Sequence, residues 1–240
     1  MVVNLFRQAP AVMVTCEHAG HQVPREYRCL FSNRRRVLES HRGYDAGALD
    51  LATKFSDHFS APLLSSNVTR LLVDLNRSIG HRNLHAEWIQ PLAAEIRQEI
   101  IENYYLPYRS EAERLVMQGI EHRRVVVHIS CHSFTNSLNG TLRKLDIGLL
   151  YDPSREQEQA LCRRWQSLLK GSEPYPYVRR NYPYKGSGDG LTSALRKTSP
   201  RDGYLGVEVE VNQNLLRYPE RWATLQRALI NSFDTVLGEG

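Results

Sequence analysis

Short runs of aliphatic and β-branched residues alternate along this chain with longer segments whose apolar residues recur at helical spacing. The short runs predict strands at 11–16, 62–66, 69–75, 124–131, 146–151, 175–179 and 204–211. The longer segments predict helices at 45–59, 91–119, 155–170 and 219–236. We expect the second helix to break or kink near Leu106, because Pro107 cannot continue the helical hydrogen bonds. Strands that alternate with helices are typical of an α/β fold.

Length and composition indicate one domain. The 240 residues, 41% of them hydrophobic, can bury one sizeable core, so we predict a single domain over 1–240. Nowhere do 18 consecutive apolar residues occur, and the first residues lack the pattern of a secretory signal. We therefore expect a cytoplasmic protein that binds no membrane. The four cysteines lack CxxC spacing, which indicates reduced thiols rather than a zinc knuckle or a disulfide framework.

The charge of the chain favours an anionic partner. The formal net charge is +5, which is compatible with nucleic acid, an acidic surface or a small anionic substrate. Basic residues cluster only briefly, as at Arg179-Arg180, and no cluster lies in a nucleic-acid-binding motif. We therefore expect a small anionic substrate and no nucleic acid.

Two predicted strands end in side chains that suit a metal site. The strand at 11–16 runs into Glu17 and His18, and the strand at 124–131 runs into His132. Two histidines at strand ends predict one shared cleft. A buried histidine is more often a hydrogen-bonded core residue, and that alternative stays open at this point.

The segment 69–78 places polar residues within an apolar strand pattern. Alternation along a strand puts Arg70, Asp74 and Asn76 on one face, while Arg77 leaves at the exit. The guanidinium of an arginine there can bind a carboxylate through two parallel hydrogen bonds. The alternative is an internal ion pair between Asp74 and an arginine, which would stabilise the strand end.

Two glutamates alternate with valines in the last predicted strand. Glu208 and Glu210 therefore share one face of that strand. If the strand is central, a carboxylate at its end is placed to act as a general base beside a metal-bound water. If the strand lies at an edge, the two glutamates form a charged solvent face.

The loop at 179–190 combines cations, aromatic residues and glycines before a helix that starts near Leu191. This composition is typical of a mobile loop that covers a substrate. The glycine spacing matches no phosphate-binding motif. An ordinary glycine-rich surface turn is the alternative interpretation.

Five motifs follow one another along the chain. They are Glu17-His18-Ala19-Gly20 with Pro24, Tyr44-Asp45-Ala46-Gly47, Arg70-Leu71-Leu72-Val73-Asp74-Leu75-Asn76-Arg77, His132-Ser133 and Glu210-Val211-Asn212-Gln213. In this order, over nearly the whole chain, they resemble the N-formylglutamate amidohydrolase family. The resemblance implies distant kinship with aspartoacylase and zinc carboxypeptidases. It thus implies a three-layer αβα fold with a central mixed, mostly parallel sheet of the phosphorylase/hydrolase type.

The resemblance implies a metal site. It makes His18 the first ligand and His132 the last, with Zn²⁺ or another divalent ion bound. The His-x-x-Glu motif of the distant relatives is absent, because His21 stands where the glutamate would be. Glu17 and Asp45 are therefore the candidates for the remaining ligand, and His21 is a third chemically competent group.

The resemblance also implies metal-assisted amide hydrolysis. The ion would polarise the acyl carbonyl and activate a water, and a glutamate would remove the proton of that water. The motif at the end of the last strand assigns this role to Glu210. Glu208 would support a neighbouring group or face solvent.

The implied substrate is a small anionic N-acyl amino acid such as N-formyl-L-glutamate. Arg70, Asn76 and Arg77 would bind its carboxylate, and Asn181 and Tyr184 of the covering loop would contact its remainder. Two alternatives stay open. One is a non-catalytic protein that binds an anionic ligand or nucleic acid, and the other is a zinc-carboxypeptidase-like hydrolase of another N-acyl amino acid or a peptide.

Overall fold

A six-stranded sheet forms the centre of the computed structural model, which describes residues 6, 8–123, 125–138 and 140–238. The strands, in chain order, are β1 (Ala11–Cys16), β2 (Leu63–Ser65), β3 (Val126–Phe134), β4 (Ser137–Leu138), β5 (Thr141–Leu142), β6 (Ile147–Leu150), β7 (Val178–Arg180) and β8 (Tyr204–Asn212). The order across the main sheet is β2-β1-β3-β8-β6-β7, and β4 and β5 form a separate hairpin. Each strand of the main sheet overlaps a predicted apolar run.

Parallel pairing brings polar groups of distant segments to one edge of this sheet. Strands β2, β1, β3 and β8 are parallel, whereas β6 is antiparallel to β8 and parallel to β7. The predicted mixed, mostly parallel sheet is therefore confirmed. β3 pairs with β8 along its whole length, which places His132 directly beside Glu210. β1 lies on the other side of β3 and ends just before Glu17 and His18.

Helices connect the strands much as the apolar periodicity predicts. They are α1 (Arg35–Leu38), α2 (Ala48–Phe59), α3 (Ala94–Ile100), α4 (Leu106–Arg123), α5 (Glu156–Lys170), α6 (Leu191–Thr198) and α7 (Pro219–Gly238). A π-helical segment, Ile101–Tyr105, joins α3 to α4 just before Leu106, so the helical hydrogen bonding changes there. The helical residues nevertheless continue from Ala94 to Arg123 without interruption, so the predicted break is wrong and the kink stays a prediction. Two 3₁₀ segments, Arg25–Phe31 and Gln213–Arg217, have no counterpart in the sequence prediction.

Apolar side chains cover both faces of the sheet. On one face, residues such as Val14 and Ile129 pack against α2, α5 and α7. On the other face, Met13 and Val126 pack against α3, α4 and α6. Since neighbouring residues of a strand point to opposite faces, strands buried on both sides must be apolar throughout. The three-layer αβα arrangement is thus confirmed.

The predicted strand at 69–75 is wrong, because this segment forms consecutive turns. Leu72 donates its amide to the carbonyl of Thr69 (3.0 Å), and Arg77 donates to the carbonyl of Asp74 (3.1 Å). The carboxylate of Asp74 also accepts the amide of Asn76 at 3.0 Å. Side chains that bond to nearby backbone groups compete in this way with the hydrogen bonds of a sheet. The apolar residues of the segment are buried in the turns instead.

Strand β3 differs from its predicted bounds. It runs to Phe134, so His132 lies within the strand rather than after it, and Arg124 lies outside the described residues. All four cysteines are free thiols, as predicted. No helix in the described part of the chain combines the length and the apolar character needed to span a bilayer.

The packing of α2, α5 and α7 predicts the effect of a core substitution. Phe233 is fully buried, with its ring centroid 4.7 Å from that of Trp165 and 5.9 Å from that of Phe55. Phe233→Ala should lower the free energy of unfolding by about 3–5 kcal/mol, measured by urea denaturation, because it leaves a cavity. The control Met117→Ala, at a side chain 42% exposed, should change it by less than about 0.5 kcal/mol. Equal effects of the two substitutions would contradict this packing.

Candidate active site

A carboxylate from the turn before α2 lies between two histidines from neighbouring segments of the sheet. Asp45 Oδ2 is 3.2 Å from His18 Nδ1 and 2.8 Å from His132 Nδ1. The amide of Asp45 also donates to the carbonyl of His18 (3.0 Å), which ties this turn to the end of β1. Gly47 has a φ of 80°, a left-handed conformation that glycine adopts without strain, and it lets the chain turn from Asp45 into α2. The side chains of His18, Asp45 and His132 are all buried.

Each histidine contacts a second carboxylate through its other ring nitrogen. Asp74 Oδ1 lies 2.7 Å from His18 Nε2, and Glu17 Oε2 lies 2.9 Å from His132 Nε2. When each Nε2–H donates to its carboxylate, the neutral ring presents an unprotonated Nδ1 towards Asp45. The ligand atoms of His18, Asp45 and His132 all lie within 4.8 Å of one another, so this group can hold a metal ion.

The carboxylates around this group favour the protonated forms of both histidines. Burial lowers the pKa of His132, but hydrogen bonds to Asp45 and Glu17 outweigh that effect and raise the pKa well above its ordinary value. The pKa of His18 is also raised, because Asp74 and Asp45 outweigh burial and the nearby Arg70. A metal ion at the Nδ1 atoms would therefore compete with protons for the two rings.

Glu17 lies on the far side of His132 from Asp45. Its side chain is fully buried and accepts hydrogen bonds from Ser130 Oγ at 2.8 Å and Tyr108 hydroxyl at 3.3 Å. Burial raises the pKa of Glu17, but the hydrogen bond from His132 and its charge hold the pKa well below the usual range. Among the described residues, the group that can hold an ion does not include Glu17.

Arg70 lies beside the metal-binding group, whereas His21 lies outside it. Arg70 Nη2 donates to Asp74 Oδ2 at 2.7 Å, and Arg70 Nη1 donates to Asp45 Oδ1 at 3.4 Å. The internal ion pair between Asp74 and an arginine is therefore present. His21 packs its ring against Tyr44, with centroids 4.7 Å apart, and is not one of the three grouped residues.

Glu210 is an acidic residue of the site whose burial is not fully offset by hydrogen bonds. β8 is a central strand, so the edge-strand interpretation is wrong. Glu210 Oε2 is buried without a hydrogen-bond partner among the described residues, and burial raises the pKa of the side chain to about 7. Glu208 is half-buried instead, and its Oε1 accepts a hydrogen bond from the Thr192 hydroxyl at 2.6 Å.

These groups open into one cavity of about 360 Å³. Its polar and charged lining includes His18, His41, Asp45, Arg70, Asn76, Arg77, His132, Ser133, Thr135, Arg143, Tyr184, Lys185, Asp189, Glu208 and Glu210. A cavity of this size accommodates a small molecule. The two histidines, Asp45 and Glu210 therefore all face a space that a small ligand can enter.

Residues of the predicted substrate clamp lie at the cavity wall. Asn76 Oδ1 accepts the amide of Leu191 at 2.6 Å, and its Nδ2 lies 3.3 Å from His132 Nε2. Arg77 Nη1 donates to the carbonyl of Asp189 at 2.7 Å. The Nε atom of Arg77 is buried and has no hydrogen-bond partner among the described residues. These contacts attach the glycine-rich loop to the turn at 74–78.

The two predicted loop residues occupy different environments. Tyr184 lines the cavity. Asn181 is absent from the described cavity lining, and its Oδ1 accepts the amides of Tyr151 at 3.0 Å and Gly186 at 3.1 Å. The loop thus borders the cavity through Tyr184, and Asn181 stabilises the conformation of the loop.

Arg143 is a cavity residue that the sequence did not reveal. It follows the short β5 strand and is only 6% exposed, and Nη1 donates to the Tyr184 hydroxyl at 3.1 Å. Hairpin residues carry no apolar periodicity, so the sequence contained no sign that this arginine is buried at the site.

Known proteins resemble this chain in sequence and in structure. A family model described as N-formylglutamate amidohydrolase matches residues 10–217. A gene product of Agrobacterium tumefaciens superposes with a TM-score of 0.81 and 28% identity, over 96% of this chain and 92% of that chain. An N-formylglutamate amidohydrolase from Ralstonia eutropha JMP134 has a TM-score of 0.71 and 19% identity, over 96% and 94% of the two chains, which shows a shared fold. No curated protein matches the sequence.

The environment of Glu210 predicts how stability depends on pH in the metal-free protein. The folded-state pKa of about 7 exceeds the ordinary value of 4.5, so folding favours the protonated form, and this stability is lost as pH rises through 7. The side chain introduced by Glu210→Gln cannot ionise. The free energy of unfolding of this variant, relative to the wild type, should therefore be higher at pH 8 than at pH 5 by roughly 2 kcal/mol.

Chemical denaturation after chelation at both pH values would measure this difference. Glu208→Gln is the matched control, because Glu208 has a hydrogen-bond donor in Thr192. A gain for Glu210→Gln that is equal at both pH values would refute an ionisation penalty at this position.

Proposed function

Because the chain belongs to the N-formylglutamate amidohydrolase family, we propose that it hydrolyses the N-acyl amide of a small acidic amino acid, N-formyl-L-glutamate foremost, with a bound divalent cation. One observation carries the proposal. His18, Asp45 and His132 converge at the cavity that also contains Glu210. A metal-binding group beside a carboxylate of raised pKa is typical of metal-assisted hydrolysis.

His18, Asp45 and His132 would hold the cation. Two imidazole nitrogens and one carboxylate oxygen are a donor set that suits Zn²⁺, and all three side chains line the cavity. When bound, Zn²⁺ acidifies water and polarises an acyl carbonyl.

Glu17 and Asp74 would act through the histidines. Each accepts the Nε2–H of one imidazole and so orients its Nδ1 towards Asp45. Asp45 would then be the carboxylate ligand, and Glu17 would be a positioning residue for His132. Arg70 would keep Asp45 and Asp74 ionised through its ion pairs with both.

Glu210 would be the general base. A base must accept a proton at a free atom, and Glu210 Oε2 is an acceptor without a partner among the described residues. Its pKa of about 7 lets it take the proton of the attacking water at neutral pH and return it to the leaving amine. Glu208, which accepts a hydrogen bond from Thr192, is less suited to this task.

The basic wall of the cavity would bind the carboxylate of the substrate. Arg77 has an Nε donor without a partner among the described residues, and Asn76 lies beside His132, so we expect both to orient an N-acyl amino acid at the metal site. Arg70 contributes positive charge, although its own hydrogen bonds go to Asp45 and Asp74. Tyr184 would contact the remainder of the substrate.

Metal content is the first test. Elemental analysis should find zinc near one per chain, and formate release from N-formyl-L-glutamate should stop after chelation and return with zinc. His132→Ala should lose the metal, because it removes one of three ligands. His21→Ala is the matched control, since His21 lies outside the metal-binding group and should leave metal content unchanged. Protein that cannot be loaded with metal would favour the non-catalytic binding protein.

The base is tested separately. Glu210→Gln should lower kcat by about 10²–10⁴-fold, the range expected for a lost general base. KM and zinc content should change little, because the amide has nearly the same shape as the carboxylate. Glu208→Gln should cause a much smaller loss of kcat. The opposite order of the two effects would transfer the role to Glu208.

A further inference from the structure

Arg143 presents hydrogen-bond donors that nothing in the described chain uses. Its side chain lines the cavity and is 6% exposed. Nε and Nη2 are buried and have no hydrogen-bond partner among the described residues, and only Nη1 donates, to the Tyr184 hydroxyl at 3.1 Å. A buried cation with unused donors is costly unless an anion completes it.

Two aromatic rings flank this guanidinium, and no carboxylate among the described residues forms an ion pair with it. Arg143 Cζ lies 5.2 Å from the ring centroid of Phe134 and 5.7 Å from that of Tyr184. Ring faces attract a cation but accept none of its in-plane N–H groups. Those N–H groups have the geometry that binds a carboxylate through two parallel hydrogen bonds.

The backbone of Arg143 is held in place from the strand that carries Glu210. Asn212, two residues after Glu210, donates its Nδ2 to the carbonyl of Arg143 at 3.2 Å and to that of Leu145 at 2.8 Å. The amide of Arg143 donates to the carbonyl of Asn136 at 2.7 Å. An arginine fixed at both backbone groups is preorganised for a ligand.

The cavity lining also includes the cations Arg70, Arg77 and Lys185. Arg77 keeps a free Nε, whereas the guanidinium of Arg70 is paired with Asp74 and Asp45. Arg77 and Arg143 thus both retain donors that an anionic ligand could use. A ligand with two carboxylates has an acceptor group for each of these arginines.

We propose that Arg143, with the hydroxyl of Tyr184, binds the side-chain carboxylate of the substrate and so selects dicarboxylic N-acyl amino acids. This inference rests on the proposed amidohydrolase function and adds a specificity-determining residue to it. Arg77 would bind the α-carboxylate.

A pair of nearly isosteric substrates tests the assignment. Arg143→Gln should lower kcat/KM for N-formyl-L-glutamate by about 10–100-fold, chiefly through KM, because a charge-assisted hydrogen bond is lost. The value for N-formyl-L-glutamine, which lacks the second negative charge, should change by less than about threefold. An unchanged ratio between the two substrates would overturn the proposal.

Arg179→Gln is the matched control for the loss of one positive charge. Arg179 is exposed, stacks on Tyr182 and is not part of the described cavity lining. The Arg179→Gln variant should leave the ratio of kcat/KM between the two substrates unchanged. An equal effect of both variants would mean that Arg143 contributes only general positive charge. Should Arg143→Gln fail to fold, Arg143→Lys keeps the charge without the planar fork, and it must still weaken the preference for glutamate.

Binding of glutarate separates this inference from the proposed function. Glutarate has the carboxylate spacing of glutamate and contains no amide. Titration calorimetry should show that it binds the wild type at least about tenfold more tightly than Arg143→Gln. That result would support Arg143 even if no N-formyl amino acid were hydrolysed. Equal affinities would overturn the role of Arg143 even if hydrolysis were observed.

Discussion

The carboxylate of Asp45, held between His18 and His132, is the interaction on which the site depends. Its Oδ2 is within hydrogen-bonding distance of both Nδ1 atoms, although the three residues come from distant parts of the chain. Burial of such charged groups is tolerable only when each has a partner. Asp74 and Glu17 supply those partners behind the two imidazoles. The turn before α2 and the ends of two strands are thereby held in one arrangement.

Two environments for carboxylates result from this arrangement. Asp45 and Asp74 are surrounded by imidazoles and by Arg70, which hold their pKa values well below the usual range despite burial. Glu210 is buried beside them with one oxygen unpaired among the described residues, and its pKa is raised to about 7. Acids of the same chemical type can therefore serve as permanent anions and as a proton acceptor within one cavity.

The arginines of the cavity also fall into two groups, according to whether their hydrogen-bond donors have partners. Arg70 is consumed by internal ion pairs, whereas Arg77 and Arg143 retain donors without partners in the described part of the chain. Counting arginines at a site therefore overstates the charge that a ligand can use. Hydrogen-bond accounting, atom by atom, distinguishes an arginine that stabilises the site from one that awaits an anion.

Apolar periodicity alone determined the α/β class and the six strands of the sheet, because alternation and run length report local burial. The same periodicity predicted a strand wrongly at 69–75. There the carboxylate of Asp74 accepts a hydrogen bond from the neighbouring backbone, and the apolar residues of the segment are buried within turns. Only the tertiary structure decided that Asp45 contacts both Nδ1 atoms, that Glu17 lies behind His132 and that Arg143 enters the cavity. A sequence pattern fixes which face of its own element a side chain occupies, whereas the contacts of that side chain depend on residues from segments far away in the chain.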